Sequence, residues 1–437
     1  MTEGSRPIDS WKQIAAFFRR DVRTVSRWEK ERGLPVHRIP GGKRGAVYAH
    51  RAELEAWLRQ QPPELLRPNM PVTADRRRFW AALIGLLLTV VLVTALYSVY
   101  SAGAHRVARA ALSGKKLLAW DEQGRLRWGY DFRETVEAAS FDEPAPAIRL
   151  ADLDGDGRDE ILVMSAFPRE GTGEMARHEL LCFSARGELL WRYNPQRTLT
   201  FGGRRWEGPW HFDAWMVTAE GNSKYIWAAA SQSPWWPAFL VRIDHRGQAE
   251  VRFVNSGVIY ALNHVRASSG AYILAGGVNN EYDSGALAVL RQDQAPAASP
   301  QNPGSGFLCA DCPPGSPYRY FVFPRSELNR LLGLAYNRVK SIRMQNGRTQ
   351  IEAYEASSPG YASSSFYELA NDFEPERAVL SDGYWQLHAK LESERKLPHT
   401  AAECPERVGR RPVRVWAPER GWSETRVPAA LNARVAR

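Results

Sequence analysis

An uncharged run of 22 residues, from Phe79 to Tyr100, divides this 437-residue chain into two chemically different parts. At about 1.5 Å per residue, a helix over this run would be roughly 33 Å long, which is enough to cross the hydrocarbon core of a bilayer. Arg76, Arg77 and Arg78 precede the run directly. The sequence therefore predicts one transmembrane helix over 79–100. A cleaved signal peptide and a buried core helix are the alternatives, and the first would need an unusually long leader.

The charge of the chain is unevenly distributed around this run. Of the net charge of +10, residues 1–78 contribute +8, from 17 Lys and Arg against 9 Asp and Glu. Residues 117–403 hold 29 basic and 36 acidic side chains. A polyanionic partner is therefore expected only for the N-terminal part. All four cysteines follow the run, which is typical of a C-terminal part in an oxidising compartment.

The residues before the run have the pattern of a small helical domain. Ser10 is a good N-cap for a helix over 11–18, and Asp21 for a second helix that ends at Gly33. Short strands are predicted around the tip 40–45, and a third amphipathic helix follows. Two short helices joined by a tight turn, with a cationic face on the second, are the arrangement that enters a DNA major groove.

The stretch from residue 8 to residue 60, which includes RTVSRWEKERGLP and KRGAVYAHRAELEAWL, resembles the winged helix-turn-helix of the MerR and excisionase-like families. The resemblance implies double-stranded DNA as the partner. By it, the groove would be contacted by Arg23, Thr24, Ser26, Arg27 and Lys30, and the phosphate backbone by Lys43 and Arg44. A homodimer is expected, because one domain of this size covers little DNA. A helical protein-interaction module with a solvated basic face is the alternative.

A weak internal repeat organises the residues after the run. Leu117–Trp128 aligns without gaps with Leu180–Trp191, and fainter copies begin at Leu240 and Leu287. Each copy is typical of a strand, a glycine-containing turn and a second strand. Such units, repeated about every 60 residues, predict a β-propeller or a related array. They resemble the hairpins of quinoprotein-type and FG-GAP propellers, although helical periodicity over 326–339 and 383–391 makes the array irregular.

An acidic loop over 152–160 has the spacing of a calcium loop. Oxygen ligands at positions 1, 3, 5 and 9 and a carbonyl at position 7 make a hard, Ca²⁺-sized cage. The loop resembles that of FG-GAP and VCBS repeats, and by that match the metal ligands would be Asp152, Asp154, Asp156, the Arg158 carbonyl and Glu160. We expect this Ca²⁺ to be structural. An acidic turn capped by its own Asp side chains is the alternative.

The remaining cysteine and histidine patterns point to no catalytic set. Cys309 and Cys312 form a lone CxxC, which lacks the second pair of a zinc site and the βαβ context of a redox site, so a loop disulfide is expected. The scattered histidines are expected to be structural; these are His178, His211, His264 and His388. The sequence therefore predicts a protein that is not an enzyme.

Together these features predict a multidomain chain: a small α-helical winged helix-turn-helix, one transmembrane helix, and a mainly-β, propeller-like, irregular extracytoplasmic domain with a few helices. The predicted domains are the DNA-binding domain 1–61, a Pro-rich basic linker 62–78, the transmembrane helix 79–100, a juxtamembrane segment 101–116, the β domain 117–403, and a basic tail or closing hairpin 404–437.

The predicted function is a transcriptional regulator in the cell inner membrane, with a cytoplasmic N-terminus. It would couple a calcium-bound sensor domain and an unknown extracytoplasmic ligand to DNA, in a form of signal transduction. The alternative is an exported β-propeller binding or adhesion module, or a quinoprotein-like enzyme, whose N-terminal domain docks a protein instead of DNA.

Overall fold

The computed structural model describes residues 7–39, 46–60, 73–104, 106–141, 145–168, 177–221, 223–232 and 236–430. The chain divides into two compact units, Met1–Thr94 and Ala95–Arg437. The first unit is helical and the second consists mainly of β-sheets.

Three helices form the core of the N-terminal unit. They are α1 (Trp11–Phe18), α2 (Val22–Arg32) and α3 (Arg51–Arg59). Ser10 caps α1 by accepting the Gln13 N–H, and Asp21 caps α2 by accepting the Thr24 N–H at 2.8 Å. Gly33 ends α2 with φ 64°. The predicted helices and their caps are confirmed, and their buried residues, among them Trp28, pack into one cluster.

Within the described residues, the winged domain predicted around these helices is not found. The strands β1 (His37–Arg38) and β2 (Val47–Tyr48) have two residues each, and the tip between them, 40–45, lies outside the described residues. The described residues of 7–60 therefore form a three-helix cluster with a minimal hairpin, and the predicted fold class is wrong on this point.

A long helix, α4 (Thr73–Ala104), covers the uncharged run. Among the residues that the structure describes, no helix combines the length and apolar character needed to cross a membrane. The predicted transmembrane helix, membrane partner and inner-membrane location with a cytoplasmic N-terminus are therefore wrong, as is a regulator anchored in that way.

The C-terminal unit begins with two antiparallel sheets and a separate hairpin. The first sheet contains β3 (Arg109–Ser113), β4 (Lys116–Trp120) and β5 (Leu126–Asp131). The second contains β6 (Glu137–Ala138), β7 (Ile148–Ala151), β8 (Glu160–Phe167), β9 (Arg177–Phe183) and β10 (Leu189–Tyr193), in the order β10-β9-β8-β6, with β7 also paired to β8. The hairpin is β11 (Leu199–Phe201) and β12 (Arg204–Trp206).

The next sheets are longer. The third joins β13 (Trp210–Glu220), β14 (Ser223–Gln232), β15 (Ala238–Ile243), β16 (Ala249–Asn255) and, in parallel, β20 (Ala297–Ala298). The fourth has ten strands. Its first strands are β17 (Ile259–Ala267), β18 (Gly270–Asn279), β19 (Ser284–Arg291) and β21 (Arg319–Val322).

The other half of the ten-stranded sheet carries helices. Its strands are β22 (Arg338–Gln345), β23 (Arg348–Ser358), β24 (Tyr361–Leu369) and β25 (Pro375–Leu380). The hairpin of β26 (Arg410–Ala417) and β27 (Gly421–Ala430) joins the two halves. The strand order of the whole sheet is β17-β18-β19-β21-β26-β27-β25-β24-β23-β22. The helices are α5 (Glu327–Leu331), α6 (Asp382–Ser393) and α7 (Pro405–Val408). The sequence pattern predicted helical structure over 326–339, but only the five residues of α5 are helical there.

Alternate residues of each central strand pack against different neighbouring sheets. On β14, Ile226 and Ala228 join a cluster with Leu180 of the second sheet, whereas Trp227 joins a cluster with Ile273 of the fourth. This alternation follows from the two-residue period of a strand. The sheets therefore stack face to face in chain order, and the predicted mainly-β body is confirmed.

The internal repeat forms one turn type at three places. In each copy, the first turn residue accepts the N–H groups of the residues two and four positions later, and a glycine with positive φ stands at the fourth position. The capping residues are Asp121, Ser184 and Asp244, and the glycines are Gly124, Gly187 and Gly247, with φ of 75°, 87° and 78°. Three of the four predicted hairpins are thus confirmed, whereas the strand that holds the copy at Leu287 does not pair with the strand that follows it.

Tryptophans link consecutive copies of this turn. Trp128 Nε1 donates to the Ala185 carbonyl at 3.0 Å, and Trp191 Nε1 donates to the His245 carbonyl at 2.9 Å. A Cβ at Gly187 would lie 2.6 Å from the Trp128 ring. The glycine therefore serves two purposes, because it permits the turn and leaves room for the tryptophan of the preceding sheet.

Candidate functional site

The acidic loop connects β7 to β8, and backbone amides organise its carboxylates. The two carboxylate oxygens of Asp152 accept the N–H groups of Gly155 at 2.8 Å and Gly157 at 3.1 Å. Glu160, the first residue of β8, accepts the Leu153 N–H at 2.8 Å through Oε2. These bonds hold the Asp152 and Glu160 carboxylates in place; Glu160 is buried and Asp152 half-buried, whereas Asp154 and Asp156 are exposed.

Three carboxylates converge at this loop. Asp152, Asp154 and Glu160 each place one oxygen within 4.8 Å of the others. Two Ca²⁺–oxygen bonds of about 2.3–2.6 Å can bridge oxygens at this separation. Asp156 is not one of the three, and its Oδ1 accepts the Arg158 N–H at 2.7 Å. The structure thus brings together three of the four predicted carboxylate ligands, while the role of the Arg158 carbonyl stays a prediction.

The electrostatics of the loop favour a bound cation. Glu160 is 7% exposed. Burial, followed by repulsion from Asp154, Asp156 and Asp152, raises the pKa of Glu160 to about 7. A divalent cation would offset both effects, and a purely oxygen donor set suits Ca²⁺ rather than a softer metal. The residues present therefore fit a calcium ion.

The residues expected to contact DNA are placed only in part. Helix α2 carries five of them, Arg23, Thr24, Ser26, Arg27 and Lys30, while Lys43 and Arg44 lie outside the described residues. The Thr24 hydroxyl donates to the cap residue Asp21 at 2.8 Å, and Arg27 lies 3.8 Å from Glu31. These contacts are local to the helix, so the DNA-contacting role of the seven residues stays an untested prediction.

The CxxC segment is a loop closed by a disulfide bond. Cys309 and Cys312 form a disulfide, a bond typical of oxidising compartments. Between them, Asp311 accepts the Thr200 N–H at 2.8 Å and the Thr200 hydroxyl at 3.0 Å. The Ala310 N–H donates to the Thr200 carbonyl at 2.9 Å. Hydrogen bonds therefore hold the segment against β11, and the disulfide closes its loop.

A cavity of about 540 Å³ opens where α5, α7 and the start of β26 meet. This volume is in the range of small-molecule sites. Its lining is rich in arginine and consists of Pro324, Arg325, Glu327, Arg330, Pro405, Glu406, Gly409, Arg410, Arg411 and Pro412. The sequence analysis does not select these residues, because they come from two distant segments that no local motif connects.

The floor of the cavity is a buried ionic network centred on Arg411, which is 4% exposed. Its guanidinium pairs with Glu406, lies 3.5 Å from the Glu355 carboxylate, and donates to the Tyr367 hydroxyl at 2.9 Å. Burial raises the pKa of Glu355, and the Arg411 charge opposes that shift. Arg411 and Glu406 are thus committed to each other and contribute little free charge to the cavity.

The other cavity arginines lack close carboxylate partners. Arg325 donates to the Asn329 side chain at 2.6 Å, and Arg330 donates to the Arg325 carbonyl at 2.6 Å. Arg330 also lies 4.0 Å from Glu406, which already pairs elsewhere. Arg410 is exposed and forms no ion pair within the described part of the chain. The cavity therefore carries excess positive charge.

No protein-family model matches this chain, and no curated protein matches it. Among solved structures, it is similar to a glucose dehydrogenase at 11% identity, over 74% of this chain and 93% of that one, with a TM-score of 0.33. It is also similar to a GH43 β-xylosidase/α-arabinofuranosidase from a compost metagenome at 10% identity, over 53% and 93% of the chains, with a TM-score of 0.21. A eukaryotic initiation factor matches at 10% identity, over 62% and 77%, with a TM-score of 0.21.

Likenesses at these TM-scores carry no argument about fold or function. The resemblance of residues 8–60 to MerR-type domains receives no support from a family model. The β-sheet body agrees, in coarse form, with the predicted alternative of a β module.

Proposed function

We propose that the C-terminal unit is a Ca²⁺-stabilised β module that binds a small anionic ligand in the arginine-lined cavity. The observation that carries this proposal is the excess of guanidinium groups over free carboxylates around a cavity of about 540 Å³. Guanidinium groups bind carboxylates and phosphates through paired hydrogen bonds. Arg330 and Arg410 are the residues best supplied with free donors for such a ligand.

The calcium loop contributes to this function through stability rather than through ligand contact. Glu160 starts β8, and Ile161, the next residue, pairs with Phe183 immediately before the turn that receives Trp128. A cation held by the loop would fix this end of the second sheet. We expect Ca²⁺ to raise the unfolding temperature of the wild-type protein, and Glu160→Gln to abolish most of that rise.

Titration calorimetry of the full chain with inorganic phosphate and with succinate tests the ligand class. We expect at least one of the two anions to bind, and the double variant Arg330→Gln/Arg410→Gln to lose about tenfold or more in affinity, because hydrogen bonds to charged groups contribute about 1.5–3 kcal/mol. Arg246→Gln/Arg420→Gln is the matched control, since it also removes two positive charges, one from the exposed turn between β15 and β16 and one from the exposed turn between β26 and β27.

Two results would overturn the proposal. The first is that neither anion binds the wild-type protein in the presence of Ca²⁺. The second is that the control variant weakens binding as much as the Arg330→Gln/Arg410→Gln variant does. The second result would mean that overall charge, rather than the cavity, attracts the anion. Loss of the Ca²⁺ effect alone would reject only the stabilising role of the loop.

A further inference from the structure

Four metal-ligating side chains converge beside the cavity, outside the acidic loop. Glu327 is the first residue of α5, His388 lies on α6, and His399 and Cys404 lie on the segment that leads into α7. His388 and Cys404 are both fully buried. One ligand atom from each of His388, His399 and Cys404 lies within 4.8 Å of the others.

Three separations between these atoms are close to those around a tetrahedral ion. The Nε2 atoms of His388 and His399 are 3.3 Å apart, and His399 Nε2 is 3.3 Å from Glu327 Oε2. Zinc bonds of about 2.0–2.1 Å to nitrogen, at a tetrahedral angle, place two ligand atoms about 3.3 Å apart. Cys404 Sγ lies 3.9 Å from Glu327 Oε2, close to the roughly 3.6 Å that zinc–sulfur and zinc–oxygen bonds imply.

From this convergence we propose that Glu327, His388, His399 and Cys404 bind one Zn²⁺ ion. Two imidazole nitrogens, one thiolate and one carboxylate make a four-coordinate N₂SO donor set of the kind that zinc accepts. The thiolate and the carboxylate carry two negative charges, which balance the ion. Binding transfers the Cys404 thiol proton to solvent.

Hydrogen bonding alone explains this cluster poorly. His399 Nε2 faces both His388 Nε2 and the Glu327 carboxylate, but a neutral imidazole nitrogen donates only one proton. The buried Nδ1 of His388 has no hydrogen-bond partner among the described residues, and Glu392 Oε2 lies 3.8 Å away. A metal on Nε2 places the ring proton on Nδ1, where a carboxylate commonly orients the ligand.

This site is distinct from the other cysteine-containing cluster. Cys309 and Cys312 bond to each other and therefore offer no thiolate. It is also distinct from the acidic loop, whose donors are all oxygen and suit a harder cation. The zinc inference requires neither the anionic ligand nor bound Ca²⁺. Only Glu327 belongs both to the cavity lining and to the zinc site.

Metal analysis of the full-length protein tests the inference. After equilibration with Zn²⁺ and removal of loosely bound metal, we expect about one zinc ion per chain in the wild type, and a loss of most of it in Cys404→Ser and in His399→Gln. Cys182→Ser is the matched control, because Cys182 is the other free, buried cysteine and lies on β9. We expect that control to retain its zinc.

Cobalt substitution gives a readout that does not depend on the folding of a variant. Wild-type protein loaded with Co²⁺ should show a thiolate-to-cobalt band in the near ultraviolet and intense visible bands of tetrahedral cobalt, neither of which a structural hydrogen-bond cluster produces. The inference is overturned if the wild type retains no zinc and shows no thiolate band. It is also overturned if zinc is lost in Cys312→Ser but kept in Cys404→Ser.

Discussion

The tryptophan contacts between consecutive turns can be measured by comparing two glycine substitutions. Gly124 and Gly187 occupy the same position of the repeated turn, with φ of 75° and 87°. A Cβ at Gly124 meets nothing within 4 Å, whereas a Cβ at Gly187 would lie 2.6 Å from Cδ2 and 2.9 Å from Cγ of Trp128. Gly124→Ala therefore introduces backbone strain alone, and Gly187→Ala introduces the same strain and displaces the tryptophan.

The magnitude follows from what Trp128 loses. Left-handed backbone strain costs about 1–2 kcal/mol for either alanine. Cγ of Trp128 is bonded directly to its Cβ, so a small rotation of the side chain cannot relieve the clash and the whole ring has to leave its site. It then loses its hydrogen bond to Ala185, which contributes about 1 kcal/mol, and apolar contact of about 1–2 kcal/mol. We expect Gly187→Ala to lower the free energy of unfolding by about 2–3 kcal/mol more than Gly124→Ala does.

Equilibrium urea unfolding of the full chain, followed by far-ultraviolet circular dichroism, measures this difference. Gly247→Ala should resemble Gly187→Ala, because its Cβ would lie 2.8 Å from the Trp191 ring. In a Trp128→Phe background the extra cost of Gly187→Ala should shrink, as a double-mutant cycle reports. Equal losses for Gly124→Ala and Gly187→Ala would refute the reasoning and show that the tryptophan contact contributes nothing to stability.

Three further outcomes are expected. Burial and a neighbouring imidazole lower the pKa of His178 to about 4, and its Nδ1 accepts the Phe212 N–H. The unfolded state therefore binds more protons between pH 6.5 and 4, and about 3 kcal/mol of stability should be lost on acidification through that window, but not in His178→Gln titrated in parallel. Arg411→Met leaves the buried Glu355 unpaired and should destabilise by about 3–5 kcal/mol in thermal unfolding at pH 7. Cys312→Ser should lower stability by about 2 kcal/mol, seen as faster hydrogen exchange around residues 305–312.

Much of the local structure could be predicted from the sequence, because short-range interactions decide it. Ser10, Asp21 and Gly33 delimit helices through bonds that reach at most five or six residues along the chain. The turns at Asp121 and Ser184 are closed in the same way, by a cap and a glycine within five residues. Patterns of this range predict an element correctly wherever the chain folds.

The uncharged run marks the limit of such patterns. Composition over 79–100 is typical of a membrane helix, and α4 does form there, but the described residues contain no helix suited to crossing a membrane. In the acidic loop, spacing predicted four converging carboxylates, and the structure assembles three. Local spacing states which side chains can meet, whereas the path of the backbone decides which ones do.

The sequence by itself determined the helix caps, the repeated turns and the β-rich C-terminal unit, because each depends on neighbours along the chain. Only the tertiary structure decided that Arg330 and Arg410 share one cavity, and that Glu327 meets His399 and Cys404. These residues lie on segments that β26 and the helices bring together in the folded chain. Their proximity is a product of long-range packing, which no periodicity or spacing in the sequence encodes.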